Sequence, residues 1–445
     1  MNVIWLKYLP QFLKNKIEGR HSLLAIIDNS GWLFADKILR MVVALFVGVW
    51  VARYLGPERF GQLNYAIAFV SIFSAIAILG LDASVVREFI RHPEKRHEIV
   101  GTIFVLKLFS GFLAFTVAFV IAWFFRKQND DITIWLIGII SLGLFFQAFD
   151  VIDILFQSQI KAKYTVYVKS TVFIIIAVLK VVLILNYADL MMFAWVSVAE
   201  IILGAIGLLI AYFFIDNDFR SISVKWSLAL RLLYESWPIL ISSTFVLMTM
   251  QLDKIILGEI KGSSEVGLYS VAVNLSSLWY MVPVVLGTTI APALNRTFED
   301  FRKQYYLKLQ KTYTVLTMIA IIAAIVVSIL SHSIINMLYG ERYIRASDIL
   351  AIHIWGAIFV FHVSIRTRAF IIESKQKYIM VLAGFTLVTN VILNVFLIRY
   401  YGSLGAAYAS LISWFLCATF FPLLCKQTRS APLMFLKSFL PIKIL

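Results

Sequence analysis

Apolar stretches of roughly twenty residues, separated by short polar connections, set the rhythm of this chain. A helix needs about 20 mostly apolar residues to cross a bilayer. Twelve stretches meet that need: 31–52, 60–82, 100–125, 132–156, 166–185, 190–215, 233–257, 266–294, 312–338, 349–365, 378–398 and 402–425. The pattern predicts an all-α integral membrane protein with 12 transmembrane helices. It divides into a segment 1–27, a six-helix bundle 28–215, a linker 216–231, a second six-helix bundle 232–425 and a tail 426–445. Lys7, Lys14, Lys16 and Arg20 interrupt every apolar run before residue 27. That segment therefore reads as a basic amphipathic element on the inner leaflet, not as a signal peptide.

Composition agrees with lipid as the solvent. Of 445 residues 61% are hydrophobic and 15% charged, against a globular norm of about 25% charged. A secreted, cytosolic or disordered chain is excluded. The net charge of +15 predicts basic cytoplasmic loops before it predicts nucleic acid, which is not expected as a partner. With the N-terminus inside, the inner segments hold 27 Lys and Arg and the outer loops 9. That asymmetry places both termini in the cytoplasm.

Chemistry-bearing motifs are scarce. No phosphate-cradling GxxxxGK[ST] loop and no HExxH occurs. The six histidines lack metal-ligand spacing. Asp216-Asn217-Asp218 fits a DxD sugar-metal motif but reads as a polar helix end. Cys417 and Cys425, placed on one helix, would stand about 12 Å apart, too far for a disulfide. No connection reaches 30 residues, which argues against a membrane polysaccharide polymerase or glycosyltransferase. The chain reads as a mover of molecules and not an enzyme; no cofactor and no metal is expected, beyond H+ or Na+ as a coupling ion.

Charges within spans cost at least about 2.5–3.5 kcal/mol each and mark functional candidates. Asp36, Lys37 and Arg40 lie in the first span, with Asp36 and Arg40 one turn apart. Lys107 lies about 10 Å into the third span, and Lys180 near the outer end of the fifth. Glu200 sits near the middle of the sixth, either as an ion-pair partner of Lys180 or as a protonatable coupling site. Asp82, Asp150 and Asp153 read as headgroup-zone residues. Asp253 and Lys254 read as a solvated outer helix end or part of an outer gate. Asn390 and Asn394, also one turn apart, read as interhelical hydrogen-bond donors. Lys37, Arg40, Lys107 and Lys180 against Glu200 predict a net-positive lumen suited to a phosphate or pyrophosphate.

The halves echo one another. Phe60-Gly61-Gln62-Leu63-Asn64-Tyr65-Ala66, after Leu55-Gly56, parallels Val266-Gly267-Leu268-Tyr269-Ser270-Val271-Ala272, after Leu257-Gly258, at an offset of 206. Lys163-Tyr164 parallels Lys377-Tyr378, and Tyr187 parallels Tyr401, at 214. Two repeats of like orientation with a site near the midplane follow.

Arg53-Tyr54-Leu55-Gly56-Pro57-Glu58-Arg59-Phe60-Gly61-Gln62-Leu63-Asn64-Tyr65-Ala66 strongly resembles the loop between the first two helices of Wzx-type O-antigen flippases. Those are polysaccharide transporters of the multidrug/oligosaccharidyl-lipid/polysaccharide exporter superfamily. Leu252-Asp253-Lys254-Ile255-Ile256-Leu257-Gly258 and Glu265-Val266-Gly267-Leu268-Tyr269-Ser270-Val271-Ala272 resemble the second-half counterpart. The resemblance covers nearly the whole chain. It implies a V-shaped, alternating-access transporter in the bacterial inner membrane, and a tight outer turn at Leu-Gly-Pro. It further implies flipping of an undecaprenyl-pyrophosphate-linked oligosaccharide to the periplasmic leaflet, in contact with membrane lipids and a polysaccharide polymerase. One departure is the lack of a dense arginine cluster in the second half.

In the scheme so drawn, Lys37, Arg40 and Lys107, with Lys180, meet the pyrophosphate. Glu200, Asp36 and Asp253 serve ion coupling or gating. The rivals are a multidrug cation antiporter, which would want an acidic lumen, and a lipid II flippase, which usually has fourteen spans. A polymerase or glycosyltransferase is the rival from another class.

Overall fold

A computed structural model of the chain describes residues 21–126, 131–215 and 223–440. Every regular element among them is helical. Hydrocarbon offers no partner to backbone N–H and C=O groups, so a spanning segment must satisfy them within itself, as a helix does. Among the described residues, ten helices are long and apolar enough to cross a membrane. An eleventh span forms if Ala346–His353 and Gly356–Ile372, bent by 41°, are taken together. The chain is a multi-pass membrane protein.

The stretch Leu39–Arg91 enters that count once although it has 53 residues. At about 1.5 Å per residue it extends to about 80 Å, more than twice the hydrocarbon thickness. It is broken at Gly56 (φ 72°, ψ 171°), with Pro57 following. Glycine tolerates the positive φ and proline starts the next helix without losing a needed donor. Several helices outrun the apolar stretches that predicted them, as in Trp226–Lys261 and Arg302–Tyr339. Lys, Arg, Gln and Glu at their ends are good helix formers, so the helix continues where hydropathy stops.

The chain resolves into two compact units. One comprises the chain up to Val47 with Ile76–Ile121 and Gly138–Trp237. The other comprises Gly48–Ala75, Ala122–Ile137 and the chain from Pro238 onward. The first is centred on a cluster that includes Leu81, Phe89, Ile103, Leu155, Phe156 and Tyr212. In the second, Gly48–Ala75 is held by contacts with high sequence separation. Tyr343 donates to the Ala52 carbonyl at 2.8 Å, and Tyr65 to Glu259 at 2.6 Å. A Cβ on Gly61 would stand 1.7 Å from the Ser263 carbonyl oxygen, and one on Gly267 2.0 Å from that of Pro57. Small residues permit this backbone approach, which supplies the packing that lipid cannot drive hydrophobically.

The two halves repeat in conformation as well as sequence. Gly56 and Gly262 (φ 87°, ψ 174°), 206 apart, adopt the same backbone geometry. Gly262, and not Gly258, is therefore the counterpart of Gly56; Gly258 lies inside Trp226–Lys261. Ile160 and Ser374, 214 apart, have φ of 58° and 57°. The following lysines close matching turns, Lys161 N–H to the Phe156 carbonyl at 2.8 Å and Lys375 N–H to that of Phe370 at 2.7 Å. Tyr187 has a positive φ, but in the second half Gly402, after Tyr401, takes it.

Cys417 and Cys425 do not share a helix: Ser403–Ala418 ends before Cys425, and both thiols are free. Residues 1–20 of the expected amphipathic segment, 216–222 of the linker with its Asp216-Asn217-Asp218, and 441–445 of the tail lie outside the described residues.

Candidate functional site

The first unit encloses a chamber of about 240 Å³. Arg40, Gln147, Asp150, Lys169 and Glu200 supply its polar wall. Arg40 lies with its guanidinium carbon 5.0 Å from the centre of the Phe173 ring. Lys169 bridges two carboxylates, at 2.6 Å from Asp153 and 3.4 Å from Asp150. Glu200 faces the chamber with Lys180 4.0 Å away. Two cations and two carboxylates line this space, so its described wall is charge-balanced. The aspartates at the head of the helix Asp150–Ser158 favour its positive end, and the same helix start brings them within reach of Lys169.

Lys107 stands apart from that chamber. It is buried and pairs with Asp82 at 3.0 Å, joining Arg96–Arg126 to the start of Asp82–Arg91. The side chains of Asp36 and Lys37 lie outside the described residues. Thus Arg40 and Glu200 share one wall, Lys180 joins them through Glu200, and Lys107 is engaged elsewhere.

In the second unit Asp253 is buried, and Lys254 with it. This corrects the reading of a solvated helix end: the helix runs on to Lys261. The Asp253 carboxylate accepts hydrogen bonds from Asn394 at 2.6 Å, Tyr269 at 2.7 Å, and Ser410. Four helices thus converge on one carboxylate. Asn390 is fully buried nearby, yet neither of its amide atoms makes a well-formed hydrogen bond, and Asn394 Oδ1 also lacks one. Buried amide oxygens without donors are uncommon. Asn394 turns its Nδ2 to the carboxylate, and the carboxylate, the Ser410 hydroxyl and the Tyr269 phenol bring three oxygen groups together. Hard cations prefer such ligands.

A second chamber of about 510 Å³ lies in the same unit. Its walls are largely apolar, with Val246, Met250, Leu382 and Trp414 among them, and two arginines, Arg366 and Arg368. The sequence reading placed both in a cytoplasmic connection after a span ending at 365. The helix instead continues to Ile372, and Arg366 is 3% exposed.

Sequence reasoning missed Arg366 and Arg368 because both lie just past the apolar stretch 349–365, and it missed Lys169 because that residue, at the inner end of 166–185, was counted with the basic residues of the connection before it. Asp82 was assigned to headgroups because its partner lies 25 residues on, in another helix. The signal for Asp253 was present, since Asp253, Asn390 and Asn394 were each noted, but nothing in the spacing joined them.

The family model described as "Polysaccharide biosynthesis protein" matches residues 26–298, and a MatE model matches residues 238–396. A Shigella flexneri protein named "Putative O-antigen transporter" is 27% identical over 409 residues, covering 88% of this chain and 94% of that protein. Among solved structures, an inward-facing multidrug resistance MATE family transporter of the MOP superfamily matches with a TM-score of 0.69. Its identity is 14%, over 91% of this chain and 95% of that one. Lipid II flippase MurJ in its inward closed conformation matches with a TM-score of 0.67 and 15% identity, over 94% and 92%. A MOP superfamily transporter from Pyrococcus furiosus gives 0.61 and 14%, over 94% and 95%. At such identities these structures establish the fold.

Proposed function

The chain belongs to the polysaccharide biosynthesis protein family, and from that premise we propose that it is a flippase for a lipid-linked oligosaccharide. The observation that carries this reading is the similarity to the Shigella flexneri relative along 88% of the chain. The cargo is an isoprenyl-pyrophosphate-linked surface polysaccharide unit, of the O-antigen type, carried from the cytoplasmic to the periplasmic leaflet of the inner membrane. Both termini face the cytoplasm, as the 27 to 9 bias of basic residues supports. The chain moves its cargo without altering it, and hands it to a polymerase.

Arg40 is the substrate contact in the first unit, with Lys169 beside it as the second cation of the chamber. A guanidinium engages phosphate oxygens in pairs, and a phosphate leaving water needs that compensation. Lys107, held by Asp82, fixes the helix Arg96–Arg126 against Asp82–Arg91 and takes no part in binding. Lys37 and Asp36 take the roles expected from the sequence, one cationic and one in gating. Glu200, at the chamber wall and 4.0 Å from Lys180, acts with that lysine in gating.

Ion coupling belongs to Asp253. Its carboxylate, with the Ser410 and Tyr269 hydroxyls, can take a proton or a sodium ion. Either neutralises a charge buried among four helices and so shifts the balance between two packings of those helices.

The test is a leaflet-accessibility assay on the purified chain in proteoliposomes, with a fluorescent lipid-linked oligosaccharide. Flipping that responds to an imposed proton or sodium gradient is expected. Drug efflux without lipid flipping would transfer the chain to the antiporter reading, which the MatE match over residues 238–396 favours. Sugar transfer by the purified chain would transfer it to the enzymes.

A further inference from the structure

We infer that the 510 Å³ chamber of the second unit binds a lipid phosphate, with the phosphate between Arg366 and Arg368 and the hydrocarbon chain along the apolar wall. The inference stands on this chamber alone and not on the transport reading.

Charge carries it. The chamber wall contains two guanidiniums and no carboxylate. Neither arginine forms an ion pair with any described residue. A charge inside a membrane-spanning helix is costly, and such residues ordinarily pair with one another or line a path for ions or substrate. Arg366 is 3% exposed, too buried for water to supply the balance.

Their existing bonds leave capacity to spare. Arg366 donates through Nη1 to the Cys417 carbonyl and through Nη2 to the Cys417 sulfur at 3.4 Å. Cys417 lies in the last turn of Ser403–Ala418, where the helix end carries only about half a negative charge. Arg368 makes one bond, from Nη2 to the Val284 carbonyl at 3.2 Å. A guanidinium has five donors, so two donors of Arg366 and one of Arg368 are used. The remainder suit a group with several acceptor oxygens and full negative charge.

Helix geometry sets the two cations about 200° apart, so their long side chains and not their backbone positions bring both to the chamber wall. At about 100° per residue, Val360, Val363, Thr367 and Ile371 form one stripe of Gly356–Ile372, and Ser364 sits at its edge. Arg366 and Arg368 flank that stripe on opposite sides. The stripe is apolar apart from two hydroxyls, Thr367 and Ser364, and the opposite walls add Val246, Leu382 and Trp414. A bare anion would leave these walls unused, and an uncharged lipid would leave both cations uncompensated. A lipid phosphate satisfies both.

The experiment measures binding of tritiated geranylgeranyl phosphate to the full chain in phosphatidylcholine nanodiscs. Saturable binding is expected, with geranylgeraniol at least tenfold weaker and inorganic phosphate unable to compete at equal concentration. Arg368→Gln should weaken the phosphate at least tenfold and leave the alcohol unchanged, while Arg368→Lys should stay within about threefold of wild type. Ser364→Trp, which fills the chamber and spares both arginines, should abolish binding of phosphate and alcohol alike with an unchanged melting temperature, and the retained alcohol binding of Arg368→Gln shows that variant to be folded. Adding phosphatidylglycerol identifies the source. Displacement assigns the chamber to membrane phospholipid and persistence assigns it to an isoprenyl phosphate, and either supports the inference. Equal affinity for alcohol and phosphate, full competition by inorganic phosphate, or unchanged phosphate binding by Arg368→Gln would each overturn it.

Discussion

Lys107 is 1% exposed and its ammonium lies 3.0 Å from Asp82, whose own side chain is 58% exposed. The pair is lopsided: one charge is buried and the other is wet. Removing the partner of a buried charge costs about 3–5 kcal/mol, whereas replacing the buried charge itself with an apolar group is often neutral. Asp82→Asn should therefore lower the melting temperature of the detergent-solubilised chain well below that of Lys107→Met. The reverse order would mean that Lys107 finds another anion.

The crossing of Gly61 and Gly267 makes a second prediction. A methyl at either position meets backbone carbonyls at 1.7–2.0 Å, and backbone cannot swing aside. Gly61→Ala and Gly267→Ala should each cost about 1–3 kcal/mol or more through overpacking. Gly48 and Gly204 have open space around an added Cβ. Alanine there should be neutral or slightly stabilising, since it favours the helix by up to about 1 kcal/mol. Thermal unfolding of the four variants side by side checks the contrast.

At Asp253 the shape-conserving and truncating variants should separate stability from function. Asp253→Ala strands the donors of Tyr269, Asn394 and Ser410, each at about 1–3 kcal/mol, and should unfold at markedly lower temperature. Asp253→Asn keeps an acceptor and should fold, yet its flipping should no longer respond to a proton or sodium gradient. Retained gradient dependence in Asp253→Asn would remove this residue from coupling.

In the chamber of the first unit, Arg40→Gln should reduce flipping at least tenfold with little change in melting temperature. Lys169→Met leaves Asp150 and Asp153 facing each other without their cation. It should impair flipping and destabilise the fold together, and Asp150→Asn in the same chain should restore part of the stability. Flipping assays paired with thermal shifts distinguish the two behaviours.

Hydropathy alone specified a helical multi-pass protein, because twenty apolar residues have no stable home but lipid and no form there but a helix. The repeat was legible as well: Gly61 and Gly267, or Lys163 and Lys377, are local signals that survive without any neighbour, although the sequence matched Gly56 to Gly258 and only the backbone geometry moved that match to Gly262. Spacing could also flag Arg40, Glu200, Asp253 and Asn394 as costly where they stand.

What those residues touch was beyond reach of the chain read in one dimension. Asp253 is joined to Asn394 across 141 residues and to Ser410 across 157, and Lys107 to Asp82 across 25. Such partnerships depend on which helix faces meet. Helix ends were decided in three dimensions as well. Arg366 and Arg368 looked like loop residues because hydropathy averages over a window, but the helix continued and packing buried Arg366. Burial, pairing and the sign of a chamber's charge are properties of packed surfaces, and only the folded chain assigns them.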